Sequence, residues 1–82
     1  MITVYSKENC PFCVKAKHRL DLLGLEYQEK VLGVDITKEE FLTIYPNART
    51  VPQIIEADGT NIGGWTQLDE HPSYQLKVID FE

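Results

Sequence analysis

The only two cysteines of this chain, Cys10 and Cys13, stand three positions apart in Asn9-Cys10-Pro11-Phe12-Cys13. Before them, Ile2 to Ser6 are mostly β-branched and aromatic, which predicts a strand. After them, apolar side chains recur at Ala16, Leu20 and Leu23, which predicts a helix from Pro11 to Leu23. Proline suits the first helical position, where its missing N–H has no intrahelical partner. Gly24 supplies the stop. A strand that feeds a helix through a cysteine pair constrains the fold more than any other feature of the chain. It sets Cys10 at the lip of the helix and Cys13 one turn further in. The two sulfurs can then close and open a small disulfide ring.

That placement has a chemical consequence. Unpaired backbone N–H groups and the positive end of the helix dipole face Cys10, and both favour a thiolate. The thiolate is the attacking form, and cysteines in such settings ionise anywhere from about 3.5 to about 7.5. Cys10 is therefore expected to attack a substrate disulfide. Cys13, more buried, is expected to attack Cys10 in turn and expel the reduced substrate. Zinc is a poorer reading. It wants four ligands, and only His18 and His71 remain, neither forming a second pair. Two inert core cysteines also fit badly with a proline-containing pair at a helix start.

Size and charge narrow the field. Residues 1–82 are read as one domain, and 43% apolar residues suffice for a modest core. A net charge of −5 argues against nucleic acid as a partner. Two cysteines are too few for a stapled secreted scaffold. No leader pattern is visible, and no apolar run is long enough for a membrane span. A cytoplasmic, reducing setting, away from membranes, is the simplest expectation, with a monomer as the default. Four of the eight basic residues, Lys7, Lys15, Lys17 and Arg19, crowd around the cysteines. They form either a solvated helix face or a positive field that draws anions and favours the thiolate.

The rest of the chain supplies further elements. Residues 25–31 alternate as a half-buried strand does. Thr37 and Glu40 make a capping box for a helix that ends before Pro46. Val51 to Glu56 form a strand opened by Pro52. Asp58-Gly59 signals a two-residue hairpin turn, with Thr60 to Gly63 as the returning strand. A last helix is expected over 65–79, interrupted or restarted near Pro72. The order is β-α-β-α-β-β-α. It implies an α/β fold with a parallel first crossover, an antiparallel hairpin and helices on the faces of a four-stranded mixed sheet.

Three motifs then give the chain a resemblance to the glutaredoxins of the thioredoxin-like superfamily. They are Cys10-Pro11-Phe12-Cys13, Thr50-Val51-Pro52, and Ile62-Gly63-Gly64 followed by Trp65-Thr66-Gln67-Leu68. Lys7, three residues before Cys10, fits as well. The chain is similar in size and pattern to small phage and bacterial members. The resemblance implies three helices around the sheet and a cis Pro52 that turns the Val51 backbone toward Cys10. It also implies glutathione as co-substrate with no tightly bound cofactor or metal. Lys7 would meet the glycyl carboxylate, with Arg49 assisting. Phe12, Thr50, Val51 and Pro52 would line the site. The backbone at Gly64, Trp65 and Thr66 would hold the γ-glutamyl carboxylate.

The chain departs from the pattern at Gln67, where many glutaredoxins carry an aspartate that pairs with the ligand ammonium. The lost charge-assisted bond costs roughly 1 kcal/mol, and Asp69 is not an obvious replacement. Trp65 replaces a smaller residue and either walls the pocket or caps the core. The resemblance implies reduction of protein disulfides and glutathionylated proteins, with ribonucleotide reductase as one recipient. Two alternatives remain. One is a redoxin reduced by thioredoxin reductase. The other is a non-catalytic carrier of an iron–sulfur cluster ligated by Cys10 and glutathione, which the proline after Cys10 disfavours.

Overall fold

In the computed structural model, which describes residues 1–76, the chain runs β1 (Ile2–Ser6), α1 (Pro11–Leu22), β2 (Tyr27–Val31), α2 (Lys38–Ile44), β3 (Gln53–Ile55), β4 (Asn61–Gly63) and α3 (Trp65–Glu70). A 3-10 turn follows at Pro72–Tyr74. The sheet order is β2-β1-β3-β4. β1 pairs parallel with β2, Ile2 opposite Tyr27, and antiparallel with β3, Val4 opposite Ile54. β3 and β4 form the antiparallel hairpin. This is the mixed sheet expected from the order of elements.

Alternation along the strands decides which helix covers which face. Val4 and Ile54 point to one side and pack with Ala16 and Leu20 of α1, Leu68 of α3, and Tyr74. Tyr5 and Ile55 point to the other side and pack with Phe41 of α2. There the rings of Tyr5 and Phe41 lie 5.0 Å apart and those of Tyr5 and Tyr45 5.5 Å, within the range of favourable aromatic pairs. Helix α1 buries Cys13, Ala16 and Leu20, a stripe at helical spacing that carries the second cysteine into the core.

The strands of the hairpin are shorter than the sequence reading, β3 covering Gln53–Ile55 where Val51 to Glu56 was expected and β4 starting at Asn61 instead of Thr60. Helix α1 ends one residue early, at Leu22. Three further differences have a local reason. β2 starts at Tyr27, two residues later than expected. Gly24, at φ +70°, donates to Asp21 O, and Leu25 donates to Leu20 O. This Schellman closure spends those residues on ending α1. The hairpin loop has three residues, Ala57-Asp58-Gly59, because Glu56 N–H donates to Thr60 O at 2.8 Å. A two-residue turn of type I′ needs positive φ at both Asp58 and Gly59, and only Gly59 has it, at +93°. The last helix stops at Glu70 because His71, preceding Pro72, turns extended (ψ 127°). The part of that expected helix at Val78 and Ile79 lies outside the described residues. The Thr37–Glu40 capping box is present, and α2 ends at Ile44 ahead of Pro46. Among the described residues no helix is long and apolar enough to cross a membrane.

Tyr74 closes the first core cluster. It is 6% exposed, and its hydroxyl donates to Glu56 Oε2 at 2.7 Å. Burial first, and then the Glu56 carboxylate, push its phenol from 10.0 up to about 12. The folded value is the higher one, so the neutral ring stabilises the fold fully below pH 10. That contribution, of order 2 kcal/mol, is lost as pH rises through 12. Burial also raises Tyr27 and Tyr45. Urea denaturation at pH 8 and pH 11 should therefore show a steep alkaline loss in the native sequence and a shallower one in Tyr74→Phe.

Candidate active site at the start of α1

β1 ends at Ser6, and the turn through Asn9 then reverses the chain. Asn9 sits at φ +57°, a left-handed conformation that asparagine tolerates better than most residues. The turn delivers Cys10 as the N-cap of α1, in extended backbone. The Cys10 Sγ accepts the Cys13 N–H at 3.2 Å, so the sulfur occupies the position of a capping oxygen. The pair is joined as a disulfide with a Cα–Cα distance of 5.2 Å. Cys10 is 8% exposed and Cys13 1%, the asymmetry expected from their places along the helix.

The loop before β3 faces the sulfur. Val51-Pro52 is cis, and the Val51 carbonyl oxygen lies 3.8 Å from Cys10 Sγ. A disulfide sulfur has no proton to donate, so this contact becomes a hydrogen bond only for a reduced thiol. Gln53 steadies the loop by donating from Nε2 to Thr50 O at 2.9 Å. The second motif then meets the third. A Cβ on Gly64 would come within 3.3 Å of Pro52 O, so glycine permits the close approach. Gly63 sits at φ +113°, open to glycine alone among common residues.

The residues singled out from the sequence fall into connected grooves. Lys7, Arg49, Thr50 and Val51 line one of about 900 Å³. Arg49, Thr50, Gly64 and Gln67 line its neighbour, of about 550 Å³. Lys7 also borders a third groove with Cys10 and Cys13. Phe12 and Trp65 lie on the α1–α3 side instead, and Thr66 is exposed at the start of α3. Gln67 has a task that the sequence did not reveal: its Oε1 accepts the Gly64 N–H at 2.9 Å. This is half of a capping box, because glycine has no side chain to return the bond.

The cations near the cysteines divide into two kinds. Lys17 pairs with Glu29 at 2.8 Å, and Glu29 also accepts the Ser6 hydroxyl at 2.6 Å. Lys17 and then Ser6 hold the Glu29 carboxyl below its usual value. Arg19 pairs with Asp69 at 2.6 Å and donates to Tyr74 O at 3.1 Å, tying α1 to the chain after α3. Asp69 is thereby engaged by Arg19. Among the described residues, Lys7 and Lys15 have no ion pair. Lys15 Nζ instead lies 5.5 Å from the Phe12 ring and 5.9 Å from the Trp65 ring, and the Arg19 guanidinium lies 5.2 Å from Trp65. Trp65 also packs against the first core cluster. Sequence reasoning missed this stack. Phe12, Lys15 and Arg19 share a helical stripe, but Trp65 reaches them only through the fold.

A four-stranded mixed sheet with a dithiol at the lip of its first helix defines a thioredoxin-like thiol–disulfide oxidoreductase. Comparison with known proteins narrows the class. The glutaredoxin family model matches residues 2–62. Glutaredoxin 3 of Escherichia coli is 36% identical over 67 residues, covering 82% of this chain and 80% of the relative. The hybrid peroxiredoxin hyPrx5 of Haemophilus influenzae is 37% identical over 70 residues, but the chain spans only 28% of that protein. Among solved structures, glutaredoxin 1 from Francisella tularensis complexed with cacodylate aligns with TM-score 0.64 at 26% identity, covering 82% of this chain and 85% of that one. A buckwheat glutaredoxin–glutathione complex aligns with TM-score 0.68 at 31% identity, covering 82% and 63%. The chain belongs to the glutaredoxin family. It is an enzyme of thiol–disulfide exchange.

Proposed function

We propose that the enzyme draws its electrons from glutathione and passes them to protein disulfides and glutathione mixed disulfides. The observation that carries this reading is the groove in which Lys7, Arg49, Thr50 and Val51 stand together, with the Val51 carbonyl 3.8 Å from Cys10 Sγ. A thiol tripeptide with two carboxylates and one ammonium needs cations, backbone donors and an acceptor, and these are the groups gathered there. An extended peptide lies against Val51 as an added strand would. Lys7 and Arg49 meet the glycyl carboxylate, and the backbone of Gly64, Trp65 and Thr66 meets the γ-glutamyl carboxylate. Pro52, buried behind this wall in its cis form, holds Val51 toward Cys10, while Phe12 stays outside the groove on the α1–α3 side. The relative from buckwheat, solved with glutathione, supports glutathione as the ligand.

In the proposed cycle the Cys10 thiolate attacks one sulfur of the substrate, and the other sulfur leaves as a thiolate that takes up a proton. The Cys13 thiol gives up its proton and attacks Cys10, releasing the second substrate thiol and forming the Cys10–Cys13 disulfide. Two glutathione molecules then restore the dithiol and leave as glutathione disulfide. The setting is the reducing cytoplasm, the enzyme works as a monomer, and ribonucleotide reductase is a fitting recipient of the electrons.

Gln67 favours a second reading, reduction by thioredoxin reductase, because it brings no charge to the ligand ammonium and already serves Gly64. Coupled turnover of a small mixed disulfide decides between them. Glutathione with glutathione reductase should sustain NADPH oxidation, and thioredoxin reductase should not. Activity with thioredoxin reductase alone would reverse the choice of reductant.

A further inference from the structure

The stack beside the disulfide carries an inference about protein substrates, which rests on the exchange chemistry but not on glutathione as the reductant. The chain has net charge −5, yet Pro11 to Leu20 contains no acidic residue. Of its three cations, Lys17 is neutralised by Glu29 and Arg19 by Asp69. Lys15 alone has no acidic partner among the described residues. It is exposed, and it lies over the rings of Phe12 and Trp65 at 5.5 and 5.9 Å. Phe12 is 53% exposed and Val14 61%, so apolar surface adjoins this charge within four residues of Cys10. The rings restrict where the long lysine side chain can go, which lowers the entropic cost of meeting a partner there.

We infer that Lys15, seated on Phe12 and Trp65, is a specificity-determining residue for protein disulfides whose cysteine is flanked by aspartate or glutamate. The occupant is a disulfide-bearing polypeptide segment with a carboxylate for Lys15 and an apolar side chain for Phe12 and Val14. Charge complementarity selects it. The net negative charge of the chain disfavours such a segment elsewhere, while Lys15 on this face attracts it close to Cys10. In the reaction two electrons pass from the enzyme dithiol to the segment's disulfide. The segment leaves with two thiols, and the enzyme keeps the Cys10–Cys13 bond.

The test uses the enzyme reduced with dithiothreitol and freed of excess, mixed in single turnover with two disulfide peptides. The peptides differ only in carrying two aspartates or two lysines beside one cysteine. The native sequence should reduce the acidic peptide roughly tenfold faster at low salt, and the preference should shrink toward unity in 0.5 M NaCl, where screening is nearly complete. Lys15→Gln should bring the ratio of the two rates close to one, and Lys15→Glu should invert it. The ratio cancels any general effect of the substitution on the cysteines, and thermal melts confirm folding. An unchanged ratio in both variants overturns the inference while leaving the exchange chemistry intact. Rates that shift equally for both peptides also overturn it, because they assign Lys15 to the field at the sulfurs. Failure of the native enzyme on both peptides would sink the exchange reading and this inference together.

Discussion

Cys10→Ser should lose disulfide exchange altogether, a fall of at least about 1,000-fold, because a hydroxyl at the N-cap neither ionises near neutral pH nor forms the mixed disulfide. Cys13→Ser should behave differently. It keeps the attacking sulfur at the lip of α1, 8% exposed, and loses only the resolving one, which is 1% exposed. Reduction of a glutathionylated substrate should continue, with external thiol taking over the second step. Reduction of an intramolecular protein disulfide should stall at a covalent adduct, visible as a mass increase. The contrast follows from the helix. The sulfur at the N-cap meets the substrate and the dipole, while the one a turn deeper meets only its partner. Equal losses in both variants would contradict this division of roles.

Leu20→Ala should be the most damaging substitution away from the cysteines. Leu20 is fully buried and lies where Val4 and Ile54 of the sheet meet Leu68 of α3. Truncation removes buried methyls and leaves a cavity that four elements must collapse to fill, at a cost of about 3 kcal/mol. For a domain of this size that lowers the melting temperature by roughly 12–24 °C. Leu22→Ala, two residues on in the same helix, supplies the control. Leu22 is 55% exposed, and its loss should stay within about 0.5 kcal/mol. Calorimetry on the two variants reads the difference directly. A mild effect at Leu20 would mean that the face between α1 and the sheet is not the main core.

Much of this was legible in the sequence because the signals were local. The turn of α1 around Cys10, the Thr37–Glu40 box and the stop at Gly24 each depend on residues within a few positions, and each is present. The extent of the hairpin loop was not legible. Asp58-Gly59 fits two turn geometries, and the choice depends on whether Glu56 pairs with Thr60 across the loop. The electrostatic layout was hidden for a stronger reason. Lys17 and Arg19 read as solvated charges from their helix positions alone. Their partners, Glu29 and Asp69, arrive from β2 and α3, and no periodicity encodes that meeting. The three motifs pointed to one site because each spends unusual residues where ordinary ones would serve a plain strand or helix.

The bond from Gly64 N–H to Gln67 Oε1 means that one seat for an incoming anion already has a sitter. A carboxylate arriving there trades places with an amide the protein supplies itself, and the count of hydrogen bonds at that nitrogen does not change. For the proposed ligand, the gain from docking would then come from the neighbouring N–H groups of Trp65 and Thr66 and from Lys7 and Arg49 across the cleft. In the proposed glutathione site the Gln67 amide would take the nitrogen back when the ligand leaves, so this donor is satisfied whether the cleft is empty or filled.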